Sequence, residues 1–400
     1  MAHLQHEYAA VAESSLSSSE HSLSYRSSSS DSSWKHLPRI EWKYYLRPNS
    51  KKRFYRKSYI YVAASLLVLG VIATLIWLSL VLSLPQRHEP KAPSNRVNYL
   101  VDNWNTPTDS IDLLSPWNSE FTQGIIPLRC HSHNDYSRAV PLFEALAAGC
   151  IGVEADIHLP TKAGSKDLLV GHATNSLTQD RTLHKLYFQP LITILENLNN
   201  DSTVSNGSNW NGVFQSSPNT TLIVLLDFKS NGIKLWPYVN QQLERFRSKG
   251  WLTHWNSTTG TTWAPIIIIA SGHAPFNLLN SNTTYRDIFY DAPLDDISNP
   301  IYDNTNSYYA SVSMSHALGK QWFWKFSPAQ LIKINTQIST ANNKGLKARY
   351  WETPTWPVHF KDYILGILIE NGIGMLNVDD FFSTLYYPLL TKFGQNRLVW

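Results

Sequence analysis

Two kinds of apolar run divide this chain. One is a single uninterrupted stretch, Ile60 to Leu84, "IYVAASLLVLGVIATLIWLSLVLSL", 25 positions without a charge. As a helix rising about 1.5 Å per residue, it is long enough to cross a hydrocarbon core of roughly 30 Å. The other kind is short and recurrent: "GIIPLRC" (124–130), "CIGVEADI" (150–157), "LLVGH" (168–172), "TLIVLLDFK" (221–229), "APIIIIASG" (264–272), "SVSM" (311–314), "GLKARYW" (345–351) and "GIGMLNV" (372–378). Near-continuous apolar strands separated by helix-compatible segments belong to parallel sheets covered on both faces. Eight such runs predict an α/β fold closed into a (β/α)8 TIM-type barrel; a doubly wound open sheet is the alternative.

The polar stretches set the domain order. Residues 13–33 are serine-dominated and nearly free of large apolar groups, too little to offset the entropy of ordering them, so a disordered tail is expected. The apolar stretch of a cleaved signal peptide is shorter, about 7–15 residues, and lies nearer the terminus, so the long run reads as an uncleaved anchor. The expected organisation is a Ser-rich and basic tail (1–57), a transmembrane helix (58–84), a stalk containing "PQRHEPKAPSNR" (85–103) and the barrel (104–400).

Charge gives the anchor a direction. Lys35, Arg39, Lys43, Arg47, Lys51, Lys52, Arg53, Arg56 and Lys57 precede it, against one acid in that stretch, Glu41. The positive-inside rule then leaves the N-terminus cytosolic, as in a single-pass type II membrane protein held through residues 60–84. The barrel would be lumenal or extracellular, in the secretory pathway or vacuole. Asn-x-Ser/Thr triplets at Asn200, Asn206, Asn219, Asn256 and Asn282 all follow the span, as glycosylation sites on that side should. Residues 1–57 hold 10 Lys+Arg and 5 Asp+Glu, leaving 24 and 25 beyond. The basic excess therefore belongs to the tail, and nucleic-acid binding loses its support. Oligomeric state is not legible.

The candidate chemistry collects at strand ends. His131, Glu154, Asp156, His172, Asp227 and Lys229 fall at or just after the ends of the first four runs, which share one rim in a barrel. Glu154 and Asp156, two apart, point to one face. With Asp227 they make a three-carboxylate set suited to a hard ion, Mg²⁺ or Ca²⁺. His131 and His172 form a candidate acid/base pair, with His131 preferred to His133 because it lies nearest the strand end. Lys229 adds positive charge for a phosphate. Arg349 and Trp351 line the same mouth. Cys130 is placed at the carboxyl end of the first strand and Cys150 at the start of the next, about a strand length apart, so both are expected as free thiols.

At these residues the chain resembles the phospholipase C-like phosphodiesterases, a superfamily that includes glycerophosphodiester phosphodiesterases and sphingomyelinase D-type toxins. The shared pattern is a histidine, Glu-x-Asp about twenty residues on, a second histidine about fifteen further, and a later acidic-x-Lys strand. "HSHNDY", "PLFEALAAG", "EADI", "LHKLYFQPLITIL", "NGVFQSSPNTTL", "DFKS", "DAPL", "TPTWP" and "LNVDDF" look like the fungal family of the altered inheritance of mitochondria protein 6, over about residues 124 to 381. The resemblance implies metal ligands at Glu154, Asp156 and Asp227, acid/base roles at His131 and His172, and a phosphate contact at Lys229. It departs at His131-Ser132-His133, where the glycerophosphodiesterase pattern has His-Arg-Gly, and at the following Pro-Glu-Asn, for which Asn134 and Asp135 are the partial substitutes. The family name reflects a phenotype: Glu7, Glu13 and Glu20 precede any Arg, unlike a mitochondrial transit peptide.

The expected function is metal-dependent hydrolysis of a lipid or lipid-derived phosphodiester by histidine acid/base catalysis. The alternatives are a catalytically inactive barrel that binds a lipid head group or glycan, and a glycosidase using the paired carboxylates.

Overall fold

The computed structural model describes residues 50–87, 95–106, 112–162, 164–200, 210–321 and 324–381. The Ser-rich segment, the first four of the basic residues, Asn206 and part of the stalk lie outside them.

The chain divides into two compact units, Met1–Ser79 and Leu80–Trp400. The apolar run lies within one helix, Ser50–Arg87, longer at both ends than the sequence indicated. Its stretch Tyr55–Leu80 has the length and composition to cross a membrane, and its Leu, Ile and Val side chains are exposed.

The second unit is a closed barrel of eight parallel strands. We number them β1 (Leu128–Ser132), β2 (Cys150–His158), β3 (Leu222–Phe228), β4 (Ile266–Gly272), β5 (Ile288–Pro293), β6 (Ser307–Ser313), β7 (Lys347–Trp351) and β8 (Met375–Val378). Each pairs in parallel with the next, and β8 and β2 both pair with β1 to close the ring. Helices cover the outside. Helix Pro328–Asn343 begins in a capping box, Ser327 Oγ accepting from Gln330 N at 3.3 Å and Gln330 Oε1 accepting from Ser327 N at 2.8 Å. Its buried Ile334, Ile338 and Ala341 face the barrel wall, and Tyr350 of β7 donates to Gln337 at 2.8 Å. A small antiparallel sheet, His254–Asn256, Gly260–Thr262 and Tyr285–Arg286, decorates the barrel around β4.

Two strand assignments change. "LLVGH" is not a barrel strand: Leu169–Val170 is a two-residue antiparallel edge on the end of β2, Ile157 facing Val170. The eighth barrel strand is instead β5, "IFYDAP", whose apolar run is interrupted by Asp291. That aspartate faces the interior and is tolerated there because Arg349 Nη2 lies 3.4 Å from its Oδ2.

The cysteines are not free thiols. Cys130 and Cys150 form a disulfide with Cα atoms 4.8 Å apart. Cys130 is mid-strand rather than terminal, and β1 is irregular there: Leu128 pairs with Cys150 but His131 with Gly152, three steps against two. The extra residue bulges Cys130 alongside Cys150, which regular strand spacing does not allow.

Candidate active site

Register brings the carboxylates together. Asp156 of β2 pairs directly with Asp227 of β3, and Glu154 lies two residues down the same inward face. One oxygen from each of Glu154, Asp156 and Asp227 lies within 4.8 Å of the others, Glu154 and Asp156 being buried. Lys229 Nζ lies 2.6 Å from Asp227 Oδ2 and 3.2 Å from Asp156 Oδ2. Arg349 meets Glu154, which leaves one ammonium between the two carboxylates of Asp156 and Asp227. Burial, and then the charge of Glu154, push Asp156 up to about 6 against the pull of Lys229 and a hydrogen bond from Tyr136. Asp156 Oδ1 and Asp227 Oδ1 are both buried without a hydrogen-bond partner. Orphaned hard oxygens at this spacing fit a divalent cation, so the triad can hold a metal ion.

Glycines make the room. At Gly272, with φ +63°, a Cβ would sit 1.9 Å from Asp227 Oδ1, and at Gly152 one would sit 2.6 Å from His131 Nδ1.

The three histidines occupy different depths. His131 is fully buried beneath the rim, its Nε2 3.1 Å from Glu154 Oε2 and its Nδ1 3.3 Å from the Tyr309 hydroxyl. An ionised carboxylate only accepts, so Nε2 carries the proton and Nδ1 receives the one from Tyr309. Burial, then Arg349, hold His131 down at about 4, so it is neutral at pH 7. His133 reaches the rim, where its Nδ1 lies 2.6 Å from Asp379 Oδ1. Burial opposes its charge, but the Asp379 hydrogen bond and the Glu154 charge prevail and raise it above the ordinary value. His172, 72% exposed, sits on the loop after the short edge strand, with Nδ1 3.3 Å from Asp156 Oδ2 and 3.1 Å from the Tyr136 hydroxyl. Both rim histidines are thus held through Nδ1 to a carboxylate, leaving Nε2 for substrate.

The buried support was only partly legible. Arg349, 4% exposed, lies below the mouth that the sequence assigned it. Its Nη1 is 3.5 Å from Glu154 Oε2 and 2.9 Å from Asn377 Oδ1, and its Nε donates to Ser311 Oγ at 3.0 Å. It touches the site through Glu154. Burial alone would raise Glu154, but the His131 hydrogen bond and the charges of Arg349 and His133 hold it at about 2. Trp351 does stand at the rim, its ring 6.5 Å from that of His133.

Asn134, in the left-handed region at φ 48°, has its side-chain amide 2.8 Å from the Tyr136 hydroxyl. Tyr136 joins three site residues, since its oxygen also lies 2.7 Å from Asp156 Oδ2. Tyr136, Asp379, Tyr309 and Asp291 went unassigned in the sequence, although Tyr136 ends "HSHNDY" and Asp379 follows the last strand just as Lys229 follows β3. Asp135 is buried and structural: Ser132, Tyr187 and the Leu142 amide all donate to it.

A family model for an AIM6-like phosphodiesterase domain matches residues 119–291. The chain is similar to the altered inheritance of mitochondria protein 6 homolog of Arthroderma benhamiae, 35% identical over 271 residues, covering 66% of this chain and 84% of that one. It is 33% identical over 287 residues to altered inheritance of mitochondria protein 6 of Saccharomyces cerevisiae, covering 66% and 72%. The Lachancea thermotolerans protein of that name is 33% identical over 282 residues, covering 64% of each chain.

Proposed function

The chain belongs to the altered inheritance of mitochondria protein 6 family, and from that premise we propose that its barrel is a metal-dependent phosphodiester hydrolase acting on a lipid or lipid-derived phosphodiester. The observation that carries this reading is the three-carboxylate triad, with two orphaned oxygens, beside two histidines each held through Nδ1.

Glu154, Asp156 and Asp227 would hold Mg²⁺ or Ca²⁺. Bound there, a divalent cation supplies the positive charge that polarises phosphoryl oxygens. Lys229 adds its own charge against the phosphate. His172 takes the proton from the attacking water as the new P–O bond forms. His133, charged with the help of Asp379, delivers a proton to the leaving oxygen as the old P–O bond breaks. His131, neutral and enclosed, orients Glu154, so the geometry favours His133 over His131 for proton transfer. Trp351 and Asn134 flank the substrate position.

The apolar helix Tyr55–Leu80 serves as the anchor in this reading, with the N-terminus cytosolic and the barrel lumenal or extracellular. The exposure of Asn200, Asn219 and Asn282 suits glycosylation on that side. Protection from external protease in sealed vesicles, together with a glycosidase-sensitive mass, tests the orientation.

The deciding experiment assays the purified full chain on bis(p-nitrophenyl) phosphate. Turnover with Mg²⁺ that is abolished by EDTA, by Glu154→Ala and by His133→Ala supports the reading. Turnover indifferent to all three would place the chemistry elsewhere, and metal-dependent head-group binding without turnover would favour a binding protein.

A further inference from the structure

Two loops on the active-site end of the barrel carry an unexplained aromatic crest. One follows β6 and holds Trp324, 56% exposed; the other follows β7 and holds Trp356, 78% exposed, and leads into helix Val358–Glu370, whose first residue, Val358, is 45% exposed. The first loop meets the start of that helix, the Trp324 ring lying edge-on to His359 with centroids 5.2 Å apart. Large apolar side chains left in water at one place mark an interaction surface rather than ordinary surface scatter.

The chemistry of the crest selects its partner. Between Gly319 and Ser327 the sequence has Lys320 and Lys325 and no acid; the second loop has Glu352 at its base, where it accepts from Ser313 and Ser315, and from Thr353 to His359 no charged residue other than histidine. Lys320 and Lys325 are exposed. A protein-binding face would ordinarily mix aliphatic anchors with a rim of both charges. Tryptophan flanked by lysine, with the one loop carboxylate, Glu352, held at the base by two serines, is instead the composition that settles at the head-group level of a bilayer and is drawn to anionic lipid. Both loops follow the carboxyl ends of their strands, the end at which Glu154, Asp156 and Asp227 open.

We infer that the Trp324–Trp356 crest is an interfacial binding surface that seats the open end of the barrel on an anionic bilayer. The mouth then faces the plane where a lipid phosphodiester lies. The surface does not depend on hydrolysis, and it would hold for a barrel that only binds head groups.

The test uses the full chain in vesicles of phosphatidylcholine with phosphatidylserine. A polarity-sensitive fluorophore is attached at Thr355→Cys, beside Trp356, or at Thr336→Cys, on the outer helix Pro328–Asn343. Doxyl-labelled lipid should quench the Thr355 label strongly and the Thr336 label little. Most of that quenching should vanish in pure phosphatidylcholine, in Lys320→Glu/Lys325→Glu, and in Trp324→Ala/Trp356→Ala, all exposed substitutions outside the core. Equal quenching or none at both labels, or quenching at Thr355 unchanged by the double tryptophan variant, would overturn the inference. No turnover enters the readout, so an inactive enzyme tests it equally well.

Discussion

Asp156 and Asp227 are direct partners across β2 and β3, and each leaves one buried oxygen, Oδ1, without a hydrogen bond. Neighbouring strands are only about 4.8 Å apart, so this register forces two carboxylates side by side. Lys229 relieves part of the repulsion, and the remainder is the physical case for a cation.

Metal affinity should therefore depend on pH. Asp156 is raised from 3.8 to about 6 in the metal-free protein, by burial and then by Glu154. A raised carboxyl favours the protonated folded state, so its stability contribution is whole below 3.8 and lost as pH rises to about 6. Metal binding needs the carboxylate, so affinity should climb by up to roughly tenfold per pH unit below 6 and flatten above. Calorimetric Mg²⁺ titrations from about pH 5 to 8 check this. A flat profile would mean that Asp156 is not a ligand.

Asp379 should tune His133. Replacing it with Asn removes the hydrogen bond and charge that raise the histidine. Because His133 must be protonated to act as the acid, the alkaline limb of the pH–rate profile should move to lower pH. His133→Asn should cost roughly 10²–10⁴ in kcat. An unmoved limb in Asp379→Asn would remove His133 from that role.

Arg349 should matter for stability as well as activity. Arg349→Met leaves Glu154 and Asp291 buried without their shared cation. Breaking such a buried pair costs about 3–5 kcal/mol, readable in urea unfolding. A loss under 1 kcal/mol would show that water or protonation compensates.

Gly272→Ala should damage the site from outside it. Its φ of +63° penalises any side chain, and the new methyl would meet Asp227 Oδ1. Mg²⁺ affinity should fall at least tenfold while the fold persists, as circular dichroism would show.

The Cys130–Cys150 bond predicts no titratable thiol in denatured, unreduced protein. Closing a loop of 20 residues, it should contribute about 3 kcal/mol, lost in Cys130→Ser/Cys150→Ser. Detection of two thiols per chain would contradict the pairing.

What the chain reveals unaided is local periodicity. The 25-residue apolar run, the strands around Glu154 and Asp227, and the shared face of Glu154 and Asp156 all follow from spacing along one segment. So do the strand-end positions of His131 and Lys229. Tertiary structure decided everything that depends on a partner far away in sequence. β5 was hidden because Asp291 breaks its apolar run, and only Arg349, 58 residues on, makes that acid tolerable inside. The disulfide was hidden because a bulge in β1 shifts its pairing with β2 by one residue. His131 and His133 look alike two positions apart, yet one is enclosed by Glu154 and Tyr309 while the other meets Asp379, 246 residues away. Side-chain alternation is a property of a single strand, whereas register and burial are properties of the closed ring.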